Sequence, residues 1–301
     1  MGDSRLEGGM FMFRSSGEKV MDFFNGTVLL LIAAAMLFPF LYIFSVSFSS
    51  VSDVLNSDFL LWPKEWVTDA YTYILGSDQF IRSLFVTVYI TVVGTLVNLF
   101  FTTTMAYSLT RNILGQRTIL FLVLFTMLFS AGMIPTYIVV KETGLLNSLW
   151  ALIIPVAISP FNLIIITQFF KGIPEELTEA ALIDGANDIQ IFTRIILPLS
   201  KPALAAFGLF YAVGHWNSYF SGVLYLNDPA KWPIQVILRQ IVIVNEPNAA
   251  LGGHAAMLEN LPPPETVQMA AILLATLPIL IVYPFLQKHF AKGVMLGSVK
   301  G

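Results

Sequence analysis

An all-α, polytopic membrane fold with six transmembrane helices is predicted by three observations. The 301-residue chain is 56% hydrophobic and only 12% charged, whereas a soluble domain is about half apolar and about one quarter charged. Six stretches approach or exceed the roughly 20 apolar residues that a helix needs to cross a bilayer. Lysine and arginine also concentrate in alternate connecting segments, as orientation signals do.

The predicted spans are Thr27–Phe48, Ser83–Thr110, Thr118–Val140, Ser148–Phe170, Ala203–Leu226 and Thr266–Leu286. The first is long and lacks a small-residue cleavage site after it, so it reads as a retained span rather than a signal peptide. Residues 1–26 form an N-terminal segment, 27–286 the transmembrane domain and 287–301 a tail. Of the 16 lysines and arginines, 11 fall on the side that carries both termini and 5 on the other. The positive-inside rule therefore makes both termini cytoplasmic. The outer side then holds two longer connectors, Ser49–Ile81 and Asn227–Glu265, and a short one, Lys141–Asn147. Pro39, Pro135, Pro155, Pro160, Pro278 and Pro284 lie within spans, where each favours a kink that neighbouring helices must satisfy.

Several classes of activity are excluded. A net charge of -3 gives no nucleic-acid footprint. The absence of cysteine removes disulfides, thiolate metal sites and a cysteine nucleophile. His215, His254 and His289 are too far apart to read as a metal motif. No Gly-Lys dipeptide occurs, so the chain has no P-loop and cannot hydrolyse ATP through one. No nucleophile–base or paired acidic motif lies within the spans, which ranks an intramembrane enzyme last. An ion-coupled transporter needs ionisable groups inside the membrane, and His215 alone answers that description.

The cytoplasmic segment between spans four and five reads as a helical elbow over residues 174–198. Pro174 suits the first helical position, and Glu175 and Glu176 suit the positive end of the helix dipole. Gly185 suits a left-handed residue closing that helix. Asn187 and Gln190 have capping-box spacing for a second helix, whose apolar face is predicted from Ile189, Phe192 and Ile196. Pro198 limits its extension. A helix resting on anionic lipid should carry basic residues, yet this segment holds Glu175, Glu176, Glu179, Asp184 and Asp188 against Arg194 and Lys201. Small side chains at Ala180 and Ala181 permit close approach. Docking to a cytoplasmic partner and resting on headgroups both stay open on these residues alone.

Glu179-Ala180-Ala181, three residues, Gly185, nine residues, then Ile195, Leu197 and Pro198 resemble the EAA-x3-G-x9-I-x-L-P loop of ABC-importer permeases at every fixed position. Leu60–Leu75, Gly144–Pro155 and His215–Leu226 are similar to the corresponding regions of MalG-type carbohydrate permeases, and Tyr283–Gly301 to their LplC/YtcP-like branch. The resemblance implies type I ABC-importer permease architecture in a bacterial cytoplasmic membrane. It further implies a second homologous permease, two ATPase subunits that carry ATP and Mg, and an extracytoplasmic solute-binding protein. The chain itself would bind no cofactor. The substrate class implied is saccharide, as oligosaccharide or fragments of complex polysaccharide; the elbow pattern alone fits peptide permeases equally well. In the family the elbow, here Glu179, Ala180, Ala181, Asp184, Gly185, Ile195, Leu197 and Pro198, sits in a cleft of the ATPase and transmits its closure. Tails like Leu296–Gly301 reach the ATPase dimer, which makes Gly297, Ser298 and Lys300 contact candidates; a frayed terminus is the plainer reading.

For the substrate path, Trp216, Asn217, Tyr219 and Phe220 place aromatics and an amide in the outer half of span five. Such residues suit the apolar faces and hydroxyls of sugars, and an interfacial aromatic belt accounts for the same composition. Asn98 is a further candidate, with helix–helix hydrogen bonding as its simpler role.

Overall fold

The computed structural model describes the backbone of residues 16–56, 59–244, 247–251 and 262–298. Helix α1, Ser16–Ser47, is followed by the short helices α2, Val51–Asn56, and α3, Asp69–Leu75. Helix α4, Asp78–Ser108, is the longest continuous rod in the middle of the chain. Helices α5, Gln116–Leu128, and α6, Met133–Glu142, precede two short 3-10 turns, Leu149–Leu152 and Ile154–Val156, and then α7, Pro160–Lys171. Helix α8, Glu175–Ile183, leads into a rod made of α9, Asp188–Ile191, a π-helical turn, Phe192–Ile196, and α10, Leu197–Leu199. Helices α11, Lys201–Trp216, and α12, Tyr219–Tyr225, follow; α13, Ile234–Val242, and α14, Pro247–Ala250, lie in the second long connector; α15, Pro264–Ser298, ends the described chain.

Three helices are long and apolar enough to cross a membrane unbroken, over Val20–Ser47, Asp78–Ser108 and Pro264–Val282. They coincide with the first, second and sixth predicted spans. The other three predicted spans are interrupted. The third divides into α5 and α6 around Phe129–Gly132, where Gly132 takes φ +84°. The fourth bends by 51° between Leu149–Val156 and Pro160–Lys171. The fifth stops at Asn217 and resumes at Tyr219. Proline explains part of this pattern. Pro135, Pro160 and Pro202 occupy the first turns of α6, α7 and α11, where a missing N–H costs no intrahelical bond. They start helices rather than kink them. Pro39, by contrast, sits inside α1.

The end expected on the outer side, called the outer end in contrast to the inner, is a packed cap. Ala70, Ile74, Phe80, Ile237, Ile241 and Ala271 are buried together, joining α3, α4, α13 and α15. Ser77 receives the backbone N–H of Phe80 and donates to the Leu251 carbonyl at 2.8 Å. The Ile234 N–H donates to Thr87 Oγ1 at 2.8 Å. Helix α13 sits in the second long connector, and its Ile234, Ile237 and Ile241 show the i, i+3, i+7 spacing of a buried helix face. At the inner end, Ala106, Leu163, Ile166, Phe170, Ile191, Ile196 and Phe207 form a second core. Helix α1 stands outside both cores: Leu29, Leu30, Leu31, Met36 and Leu37 are all exposed, and its main neighbour is α15.

Candidate functional site

Two neighbourhoods collect the candidate residues. The first is the helix–turn–helix of α8 and the rod that follows. Pro174 is the N-cap of α8, one position before the place expected for it, and Glu175 and Glu176 occupy the first turn. Gly185 has φ +81° and closes α8 in a Schellman arrangement: its N–H donates to the Leu182 carbonyl at 3.0 Å, and the Ala186 N–H to Ala181 at 2.9 Å. Asn187 and Gln190 form a complete capping box, each backbone N–H donating to the other's side-chain oxygen at 2.9 Å. The turn is therefore held by its own backbone and two polar side chains.

The apolar face of the second limb matches expectation at Phe192 and Ile196 but not at Ile189. Ile189 is exposed, while Ile191 and Ile196 are buried. The π turn is the cause. It adds one residue to the turn between Ile191 and Ile196, so residues five apart share a face. The ring of Pro198 would crowd the Arg194 carbonyl in an α-helix, and the wider turn relieves that clash. Glu179, Ala180, Asp184, Gly185 and Pro198 are exposed; Ile195 and Leu197 are half-buried. Ala181 is half-buried against the inner core, so its small size serves packing within the chain. Leu182, Ile183 and Ile189 project apolar surface beside the acidic residues.

This unit is fastened to the inner end of α4. Arg111 donates to the Tyr107 hydroxyl at 2.6 Å, Tyr107 donates to Asp188 Oδ1 at 3.3 Å, and the Arg111 guanidinium lies 4.8 Å from the Tyr107 ring centroid. Arg111 Nε and Asp188 Oδ1 are 3.7 Å apart, an ion pair beyond hydrogen-bond length. The Phe192 ring also packs against Tyr107, at 5.0 Å between centroids. Tyr107 and Arg111 give no local sequence signal for this role, since their partner lies about eighty residues away.

The second neighbourhood is the contact of α4, α11 and the bent fourth span. Asn98 Nδ2 donates to the Val156 carbonyl at 2.6 Å, and its Oδ1 lies 3.0 Å from His215 Nε2. The Tyr211 hydroxyl shares a hydrogen bond with Thr102 at 2.8 Å and accepts the Ser159 N–H at 3.2 Å. Irregular backbone inside a membrane requires such partners, and here two side chains supply them at the bend. Asn98 is buried and spends both amide groups this way. Trp216 is buried with no hydrogen-bond partner for Nε1. Asn217 and Phe220 are exposed, and Asn217 Nδ2 donates back to Val213 at 2.9 Å. Tyr219 is half-buried beneath Arg239 of α13, whose guanidinium donates to the Tyr219 hydroxyl and stacks 5.1 Å from the ring centroid. Gly297 and Ser298 close α15, but the surroundings of both and all of Lys300 lie outside the described residues, as does the rest of the predicted tail contact.

Among the described residues, a helical fold with three unbroken apolar spans, two bent ones and a helix–turn–helix between α7 and α11 defines a multi-pass membrane protein. The chain belongs to the family described as binding-protein-dependent transport system inner membrane components, whose profile matches residues 11–296. It is a subunit for transport across the plasma membrane rather than an enzyme. Among its relatives, Protein LplC of Bacillus subtilis is 52% identical over 96% of this chain and 98% of its own. The polygalacturonan/rhamnogalacturonan transport system permease protein YtcP of the same organism is 54% identical over 91% of this chain and 96% of its own. A chain in the crystal structure of a bacterial ABC transporter for import of the acidic polysaccharide alginate superposes with TM-score 0.86 at 36% identity, covering 92% of this chain and 99% of that one.

Proposed function

We propose that this chain is one permease subunit of an ATP-driven ABC importer for saccharides, handling oligosaccharides or fragments of complex polysaccharides. The observation that carries the reading is the 54% identity, over 91% of the chain, to a polygalacturonan/rhamnogalacturonan permease. The complex proposed contains a second, homologous permease, two ATPase subunits holding ATP and Mg, and an extracytoplasmic binding protein. Six membrane crossings, with both termini cytoplasmic, are part of the same proposal.

In this reading the α8–α10 unit docks on the ATPase. Support comes from its exposed Glu179, Ala180 and Asp184, from the preset turn at Gly185, and from Ile195, Leu197 and Pro198, which connect it to α11. Nucleotide-driven closure would push the unit. The tether through Tyr107 and Arg111 would carry that motion to α4, and the 81° junction with α11 would carry it to the fifth span. The substrate passes along the exposed side of that span, near Trp216, Asn217, Tyr219 and Phe220, with Asn98 supporting from within. Gly297, Ser298 and Lys300 would meet the ATPase pair.

Mass spectrometry of proteins co-purified with the tagged chain in mild detergent tests the proposal. An ATPase, a second permease and a binding protein should be recovered together. An intact complex that contains no ATPase would overturn the coupling role.

A further inference from the structure

The exposed side of the fifth predicted span is a stripe of Phe210, Val213, Asn217, Phe220 and Val223. Four of these five are apolar and would suit lipid. The outer end does not. There Gln235 of α13 lies 3.5 Å from Asn217 Oδ1, and one turn further the exposed Arg239 caps the Tyr219 ring. A guanidinium and two amides thus gather at the head of the apolar stripe, where the span meets the second long connector. They suit a polar, anionic ligand.

We propose that Arg239 is a specificity residue that recognises the carboxylates of uronate-bearing oligosaccharides at the outer mouth of the path. The geometry supports this in three ways. One terminal nitrogen of Arg239 is committed to the Tyr219 hydroxyl, and the remaining N–H groups can meet a carboxylate side by side. Stacking on Tyr219 fixes the plane of the guanidinium, so less rotamer freedom is lost on binding. Among the described residues no carboxylate lies within ion-pair distance of Arg239. One turn before it on α13, Gln235 reaches Asn217 through its Nε2 only, and its amide oxygen has the chemistry to accept from a sugar hydroxyl. Two of the chain's similar proteins move acidic polymers by name, polygalacturonan in one case and alginate in the other. The inference rests on the saccharide-permease reading and adds a charge requirement to it.

The test uses the assembled complex with its binding protein in proteoliposomes, comparing wild type, Arg239→Gln and Arg239→Lys. The probes are trigalacturonate as the free acid, its methyl ester, and maltotriose as a neutral trisaccharide. Wild type should favour the acid over the ester. Arg239→Gln should lower that preference about tenfold, the scale of one partly exposed charge-assisted hydrogen-bonded contact. Arg239→Lys should lower it less, because charge remains while the planar fork is lost. An equal loss for acid and ester would assign Arg239 to a protein contact and overturn the proposal. So would a preference left unaltered, or wild-type uptake of maltotriose with none of trigalacturonate. Failure of all three sugars in the wild type would instead remove the saccharide reading beneath it.

Discussion

His215 lays its imidazole directly on Gly94. A Cβ at position 94 would come within 2.5 Å of Nε2 and 2.6 Å of Cε1, so the contact exists because residue 94 has no side chain. Gly94→Ala should cost about 1–3 kcal/mol, as overpacking of a close contact does. The loss should shrink when His215→Ala is added, since the clash then has no second partner. Thermal unfolding in detergent of the two single variants and the double variant checks this; strictly additive effects would sink it.

Asn98 is the second half of that contact. Its replacement by leucine keeps the volume but strands the Val156 carbonyl and the His215 ring. An unsatisfied buried polar group costs about 1–3 kcal/mol. Asn98→Leu should therefore destabilise the fold about as much as a core cavity would. Retention of wild-type melting would show that another group pairs the bend.

Gly185 turns the chain with φ +81°, and a Cβ there would meet nothing within 4 Å. The whole penalty for Gly185→Val is thus in the backbone, about 1–2 kcal/mol for a left-handed residue. Insertion and expression should persist while ATP-dependent uptake falls. Gly185→Asn should keep more uptake, because asparagine tolerates this conformation. Equal uptake by all three proteins would remove the turn from the coupling route.

Asp188 is 73% exposed and its Arg111 partner 30%. Solvent screening limits such a pair to about 0–1 kcal/mol, so Asp188→Ala should scarcely alter melting. It should still loosen the α8–α10 unit from Tyr107. Measured in proteoliposomes, ATP hydrolysed per sugar imported should rise. An unchanged ratio would mean that the apolar packing of Ile191 and Ile196 suffices as the link.

Glu179→Lys reverses one charge in the exposed acidic row of α8 without touching the core. Stability should stay within about 0.5 kcal/mol, as for most surface changes. ATP-dependent uptake should fall, because one charge of the proposed docking surface is reversed. Normal uptake would return this residue to a solvated face.

What could be read in the sequence followed from local chemistry. The three unbroken helices announced themselves through continuous hydrophobicity. The Gly185 turn and the Asn187–Gln190 box are encoded within a few residues of one another, and both have the expected hydrogen bonds. The interruptions were less legible. Whether a proline bends a helix or starts one depends on where its neighbours' polar groups go, and for the fourth span those groups meet Asn98 and Tyr211 of other helices. The misplaced Ile189 has a similar origin, since a 3.6-residue period cannot anticipate a π turn. Helix α13 was visible as Ile234, Ile237 and Ile241 but hidden by the polar, proline-bearing composition around it. The sequence marks Trp216, Asn217, Tyr219 and Phe220 together, whereas the structure separates a buried tryptophan from exposed Asn217 and Phe220 and lays Arg239 on Tyr219.

The closure of α8 and α9 by backbone hydrogen bonds and one capping box has a consequence for energy flow. A recognition element that folded only on contact would surrender conformational entropy at every engagement, on the order of 1–2 kcal/mol for each residue ordered. Over the nine residues of α8 alone that loss would recur with each turnover and would be dissipated as the element melted again. A prefolded unit avoids that cyclic loss. In the proposed complex, the work done on it by a closing ATPase would then be available to displace helices inside the bilayer, and the stiffness of one glycine turn would become a determinant of the machine's efficiency.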